Sequence, residues 1–370
     1  MTGKLLTSML YILMVLFLAS CEDNGTTKTV EANAATRSAM DTLHPIPYTG
    51  SRHALLVGVS RFNDKKWCEL NAHNDLALLD ESLRRHGFEV SILEDSAATC
   101  DNIKMSIWEL GRAANKGDTV LIHFSSHGQQ VYSESSIETE PDMLDEAVIP
   151  YDARFKKCDG YCGQNHLLDD TLNKYVTLLS DGLGEDGLVM VFVDACHSGD
   201  IDRAPSAGMP SRTERGVSDI FGTDSLPEHR IDSLRRSYRK KDNVPIVGGC
   251  DIAYVSACGS DELNKEIVVD GKGYGSLSYA VACALRYKDF ATAVSFLSLV
   301  DSLMKTGPSA QVPVIRTNLA EWRHVDCRTE NGRTAGDGRD SSDRVFWLIA
   351  SVGLIILVLI SILFIWKRRR

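Results

Sequence analysis

Leu188–Gly199 reads L-V-M-V-F-V-D-A-C-H-S-G. Six apolar residues, half of them valine, run without a charge and stop at Asp194, Ala195, Cys196, His197, Ser198 and Gly199. A short uninterrupted apolar run bounded by a turn signal reads as a strand buried on both faces of a parallel sheet. The polar cluster then falls at the carboxyl end of that strand, where open α/β sheets carry their sites. Cys196 is a candidate nucleophile there. A lone strand-end cysteine is more commonly a small buried hydrophobe, so its meaning depends on a partner base.

Asp118–Gly128, D-T-V-L-I-H-F-S-S-H-G, is built the same way. Its apolar strand ends in Ser125, Ser126, His127 and Gly128. Neighbouring parallel strands bring His127 and Cys196 to one sheet edge. A Cys–His pair of that kind generates a thiolate near neutral pH. Residues two apart on a strand share a face, which puts Asp194 alongside Cys196 and Ser125 alongside His127. His197 points away and is the poorer base. The natural oxyanion donors are the backbone N–H groups of Gly128 and Cys196.

Outward from these strands the pattern alternates. His53–Ser60 reads as a strand, Leu70–His86 as an amphipathic helix closed by Gly87, and Phe88–Leu93 as a second strand. Thr99 or Asp101 caps a helix through Ile103, Ile107 and Leu110 that stops near Gly117. After the two motif strands come a strand at Asp251–Ala257, helices at Gly275–Arg286 and Ala291–Met304, and an edge strand at Val312–Thr317. A further helix, Asp169–Leu179, precedes the Cys196 strand. Strand–helix alternation predicts an α/β fold with a mostly parallel sheet. Ser133–Asp152 reads as an acidic loop, and Arg203–Asn243 as an exposed, basic linker of low apolar content.

F-S-S-H-G followed by D-A-C-H-S-G, each on a strand end, resembles the caspase-like cysteine peptidases, and among them the metacaspases. The resemblance covers about residues 50–320 and implies a three-layer αβα sandwich. L-N-A-H-N-D-L-A-L-L, Leu70–Leu79, is similar to that family's Asn-Asp segment, with Leu76 where alanine is usual. Through it, Asp75 joins Asp194 at the floor of the primary specificity (S1) pocket, lined also by Ser125. Two carboxylates there select Arg or Lys before the cleaved bond. Asp142–Asp152, D-M-L-D-E-A-V-I-P-Y-D, resembles the stretch near which some members bind calcium as an activator. This makes Asp142 and Asp145 candidate ligands, with a solvated acidic loop as the equal alternative. Y-V-S-A-C-G-S-D-E-L-N-K-E, Tyr254–Glu266, resembles the family's groove-lining strand. S-S-H-G replaces the commoner S-G-H-G without touching the Cys–His dyad. No cofactor is required for such chemistry. The expected partners are proteins or peptides with basic residues.

Composition is globular, with 24% charged and 44% hydrophobic residues. The net charge of −10 and the absence of a basic stripe in the folded part exclude general nucleic-acid binding. Both ends point to a membrane. Residues 1–21 read as a signal peptide ending in L-A-S-C, resembling a bacterial lipoprotein signal with lipid on Cys21; an ordinary secretory signal is the alternative. Residues 22–50 are a tether, 51–325 the peptidase domain with its 203–243 linker, and 326–344 a second linker. Val345–Trp366 is uncharged and long enough to span a bilayer, and the basic tail 367–370 stays cytoplasmic. The peptidase domain is therefore expected to be membrane-anchored, on the periplasmic or extracytoplasmic side. Of ten cysteines, Cys158 and Cys162 are the nearest local pair for a disulfide, with zinc as the rival use.

The Arg- and Lys-rich linker, including Arg203, Arg212, Arg215, Arg230, Arg235, Arg236, Lys240 and Lys241, follows the catalytic loop directly. An enzyme cutting after basic residues would cut it, so autoprocessing is expected. The competing functional class is a catalytically silent caspase-like binding or signalling module; a clostripain- or gingipain-like protease would share the chemistry.

Overall fold

A computed structural model describes residues 50–133, 143–196, 214–217, 219–237, 246–259, 264–287, 293–308, 310–320 and 322. The signal peptide with Cys21, the tether, the second linker, the spanning segment and the basic tail lie outside them, as does Asp142. Among the described residues no helix is long and apolar enough to cross a membrane. The chain up to Leu319 forms one compact unit and Ala320–Arg370 a second.

The chain runs β1 (Arg52–Gly58), α1 (Ala72–Arg85), β2 (Phe88–Glu94), α2 (Cys100–Ala113), β3 (Thr119–Ser125), β4 (Gly128–Tyr132), β5 (Leu144–Val148), β6 (Leu167–Leu168), α3 (Asp169–Leu183) and β7 (Leu188–Asp194). It continues through α4 (Glu228–Ser237), β8 (Asp251–Ser256), β9 (Glu266–Val269), β10 (Lys272–Gly275), α5 (Ser276–Tyr287), α6 (Ala293–Thr306) and β11 (Val314–Thr317).

The central sheet has the order β11-β8-β7-β3-β1-β2, parallel except for β11. Every residue of β3 and β7 is buried, including His123 within the otherwise apolar run of β3. α1, α5 and α6 pack together on one side and α2 with α3 on the other. The result is the expected αβα sandwich. Gly58, Ser125 and Asp194 stand in register, so β1, β3 and β7 end together. Helix starts follow local chemistry: Thr99 accepts the N–H of Asn102 as the cap of α2.

Two expectations fail in instructive ways. The 133–152 stretch is not simply an acidic loop, because Leu144–Val148 forms the middle strand of a second sheet, β4-β5-β6. Leu144, Ala147 and Val148 are buried in it, and Asp145 is buried with them. The 203–243 stretch is not an exposed linker where it is described: Arg215, Val217, Ile220, Phe221 and Leu234 are buried and Glu228–Ser237 is helical. Cys158 and Cys162 are not bridged to one another. Their segment is held instead by paired backbone hydrogen bonds between Cys158 and Tyr161.

Candidate active site

Arg215 has no solvent exposure, although it lies in a polar stretch of sequence. Its guanidinium enters a pocket of charge. Nη2 donates to Asp75 Oδ2 at 2.7 Å and to Glu266 Oε1 at 2.9 Å; Nη1 donates to Ser125 Oγ at 2.7 Å and lies 3.8 Å from Asp194 Oδ1. Three carboxylates thus surround one cation, since the Born cost of a buried guanidinium is met only by pairing and good geometry. The Asp75, Asp194 and Ser125 of the expected pocket do converge.

Each wall is fixed from a different element. Asp75 sits in the first turn of α1, and its second oxygen accepts the Gly275 N–H at 2.9 Å. Asp194 ends β7 and is saturated by protein donors: Asn264 Nδ2 on Oδ1, and Ser278 N–H and Oγ–H on Oδ2, all at 2.6 to 2.7 Å. Ser278 in turn meets His123 Nε2 at 3.1 Å. Glu266 accepts from both the backbone and the side-chain amide of Asn71. Gly275 allows the close approach, since a Cβ there would stand 2.7 Å from the Arg215 guanidinium carbon.

Burial pushes the Asp75 carboxyl up to about 6, with Arg215 opposing. Burial also works to raise Asp194, but Arg215 together with the Ser278 and Asn264 hydrogen bonds holds it below the carboxylate range. Direct contact therefore comes from Asp75 and Glu266, and Asp194 acts through charge.

The Arg215 backbone is placed just as specifically. Its carbonyl oxygen accepts the N–H of Cys196 at 2.9 Å and of Gly128 at 3.1 Å, the two donors expected for an oxyanion. Its own N–H donates to Asn264 O at 3.0 Å, and Glu214 bridges Lys265 antiparallel. A Cβ on Gly216 would lie 2.9 Å from Cys196 Cβ. The Arg215–Gly216 peptide bond therefore lies against the candidate nucleophile, its carbonyl between Cys196 and Gly128.

His127, beside Gly128, is fully buried. Trp67 stacks on its ring at 5.4 Å and Phe62 packs at 5.2 Å. Its Nε2 meets Cys68 O at 3.0 Å, so Nε2 carries the proton and Nδ1 keeps the lone pair a base needs. Burial, and the Arg215 charge, lower its pKa to about 4, against the Cys68 hydrogen bond. The carbonyl of Cys68 thus orients the ring as the third group of a triad would.

Ser278, His123 and the Cys68 carbonyl were missed at the sequence level; Asn264 and Glu266 lay in the stretch expected to line the groove, but without their side-chain roles. One signal was available for the hairpin that carries Glu266. Asp270-Gly271 between I-V-V and K-G-Y is the two-residue turn of a β-hairpin, and both residues have positive φ.

Asp145 is buried at 4% exposure on β5. Burial, then Glu146 and Asp170, push nearby Asp169 up to about 7. Among the described residues no group of three or more His, Cys, Asp or Glu is arranged to hold a metal ion.

The chain is similar to several known proteins. Metacaspase-1A of Aspergillus oryzae is 23% identical over 289 residues, covering 70% of this chain and 66% of that protein. Metacaspase III c of Phaeodactylum tricornutum is 28% identical over 167 residues, covering 43% and 46%, and Metacaspase-1 of Pyricularia oryzae 24% over 296 residues, covering 72% and 71%. The chain thus spans between about half and seven tenths of the length of these curated relatives. A solved Geobacter sulfurreducens protein is 23% identical, covers 72% of this chain and 93% of its own, and superposes with a TM-score of 0.49. The family model of the Caspase domain, peptidase C14, matches residues 51–321. The chain belongs to the caspase-domain peptidases, with metacaspases among its relatives.

Proposed function

We propose that this protein is a cysteine endopeptidase that cuts after Arg or Lys and first cuts itself between Arg215 and Gly216. One observation carries the reading: Arg215 lies in cis as a substrate would, guanidinium among carboxylates and carbonyl oxygen on the N–H groups of Cys196 and Gly128.

The steps follow from the groups in place. Cys196 gives its proton to His127 Nδ1, and Sγ attacks the carbonyl carbon of the basic residue. The oxygen becomes an oxyanion on the same two N–H donors, which strengthen as charge develops. His127 then protonates the leaving amine, the C–N bond breaks and a thioester remains. Water, deprotonated by His127, hydrolyses that thioester and regenerates the thiol. A neutral His127, held low by burial, is competent to accept the first proton.

The guanidinium fork supports Arg above Lys, because an ammonium would have to reach Asp75, Glu266 and Ser125 from one point. Anchoring through residues 345–366 with the domain outside the cytoplasm is part of the same proposal, supported by the apolar run and basic tail. Calcium activation is supported only by the carboxylates near Asp145, and no step depends on it.

The test is the full chain, and its Cys196→Ala form, on fluorogenic peptides ending in Arg, Lys or Asp, with fragment masses read in parallel. Cleavage after Arg and Lys that needs Cys196, and a fragment beginning at Gly216, is the expected result. An intact chain silent on all three peptides would leave a binding module instead.

A further inference from the structure

Beyond the Arg215–Gly216 bond the chain does not leave the surface. Gly216 bridges Gly128 and Phe221 bridges Val131, both parallel, so the described residues of this run follow the edge of β4. Phe221 N–H donates to Gln130 O at 2.8 Å, and Tyr132 N–H donates to Phe221 O at 2.9 Å. Gln129 Nε2 reaches Asp219 O at 2.9 Å, and Lys156 lies 3.5 Å from the Asp219 carboxylate.

Side chains anchor the same run. Phe221 is 3% exposed, with its ring 4.4 Å from His166 and edge-on to Tyr161 at 5.9 Å. Ile220 is buried beside Leu144 and Leu234, with Tyr132 packed against them. The first position has no room for a side chain: a Cβ on Gly216 would meet Cys196 O at 2.5 Å. Hydrogen bonds to a free strand edge with alternate pockets for side chains are how β-addition recognises an extended peptide.

We propose that the β4 edge, with the His166–Tyr161 pocket, is a recognition site for polypeptide downstream of the cut bond, taking glycine first and an apolar–aromatic pair fifth and sixth. Its occupant here is the chain's own 216–221. The inference rests on Arg215–Gly216 being the cut bond. It defines substrates of the form Arg-Gly followed at a fixed distance by an apolar anchor, and it leaves the fragment that begins at Gly216 seated after cleavage.

Binding tests it without catalysis. A labelled peptide Gly-Val-Ser-Asp-Ile-Phe-Gly-Thr is titrated by anisotropy against the full chain carrying Ile220→Ala and Phe221→Ala, which frees the groove. Saturable binding is expected, at least about ten-fold weaker to the unsubstituted chain and lost when the peptide's Ile-Phe becomes Ala-Ala. No saturable binding to a freed chain that still melts cooperatively, or equal binding of both peptides, overturns the proposal and leaves residues 216–221 a fixed structural strand. If the double variant does not fold, Phe221→Ala alone serves. Absence of Arg-peptide cleavage with peptide binding intact would sink the peptidase reading on which this one rests, whereas absence of binding with cleavage intact would overturn the downstream site alone.

Discussion

On the two sides of the Arg215–Gly216 bond the same chain is held by opposite physics. Upstream, one guanidinium is surrounded by Asp75, Asp194 and Glu266 in a site with no exposure, and its backbone pairs with Asn264. Downstream, Ile220 and Phe221 sink into apolar and aromatic surroundings along β4. The upstream grip is discriminating but costly to assemble, because three buried carboxylates without a cation repel one another. The downstream grip is tolerant of chemistry but demanding of spacing. A site that holds its own chain in both ways needs each to be broken separately to see what it contributes.

The largest effect is expected at the bond between them. Cys196→Ala should lower cleavage at Arg215–Gly216 by at least about 10⁴-fold, read as the persistence of intact chain, without moving either flank. On the upstream side, Asp75→Asn removes the carboxylate that pairs directly with Nη2. It should reduce kcat/KM on Arg peptides by about 10²- to 10³-fold, mostly through KM. In the unsubstituted enzyme, KM for Arg peptides should climb as pH falls, because Asp75, pushed up to about 6 by burial even with Arg215 beside it, takes up a proton more readily once the pocket is emptied. Asp75→Asn should flatten that climb; an unchanged profile would move the titration elsewhere.

Glu266→Gln keeps a hydrogen-bond acceptor and loses one charge. A fall of about ten-fold on Arg peptides is expected, less on Lys peptides, so the Arg-to-Lys ratio should shrink. Equal losses on both would mean that Glu266 holds Asn71 and the hairpin rather than reading the substrate.

A further effect, read in stability and not in rate, concerns the downstream wall. His166 accepts from Tyr161 Oη on Nδ1 and bonds Gln129 through Nε2, and burial lowers its pKa to about 4. Between that value and the ordinary 6.5 the unfolded chain binds the proton and the native one does not. His166 therefore costs stability as pH falls through that window. The gap in unfolding free energy between the unsubstituted chain and His166→Gln, read from denaturant unfolding, should narrow from pH 7 to pH 4 by up to about 3 kcal/mol. A constant gap would exclude a neutral, buried His166.

The same asymmetry decided what could be read beforehand. The strands leading to His127 and Cys196 were legible because β3 and β7 are buried on both faces, so Leu188–Val193 is wholly apolar and Val120–Phe124 is apolar except for His123. Cys196 and His127 then stood out at their ends. Strand periodicity placed Asp194 beside Cys196 and Ser125 beside His127, whereas Asp75 and the pocket role of all three entered through family resemblance; nothing in α1's periodicity marks Asp75 as inward and charged. Arg215 was misread as solvated because a basic residue in a polar stretch is normally exposed; its burial depends on three acids at distant sequence positions. Leu144–Val148 looked like loop for a related reason: Asp145 and Glu146 interrupt its alternation, and pairing with β4 supplies the order that local propensity lacks.

The position of the proposed cut has a consequence for the molecule as an assembly. Breaking the chain at Gly216 assigns β1, β2, β3 and β7 to one piece and β8 and β11 to the other, within a single sheet. The acidic pocket is divided too: Asp75, Ser125 and Asp194 fall on one side, and Asn264, Glu266, Gly275 and Ser278 on the other. Folding of the intact chain is unimolecular; the nicked form is a heterodimer governed by mass action. Its resistance to unfolding then acquires a concentration dependence, and dilution becomes a way of switching it off.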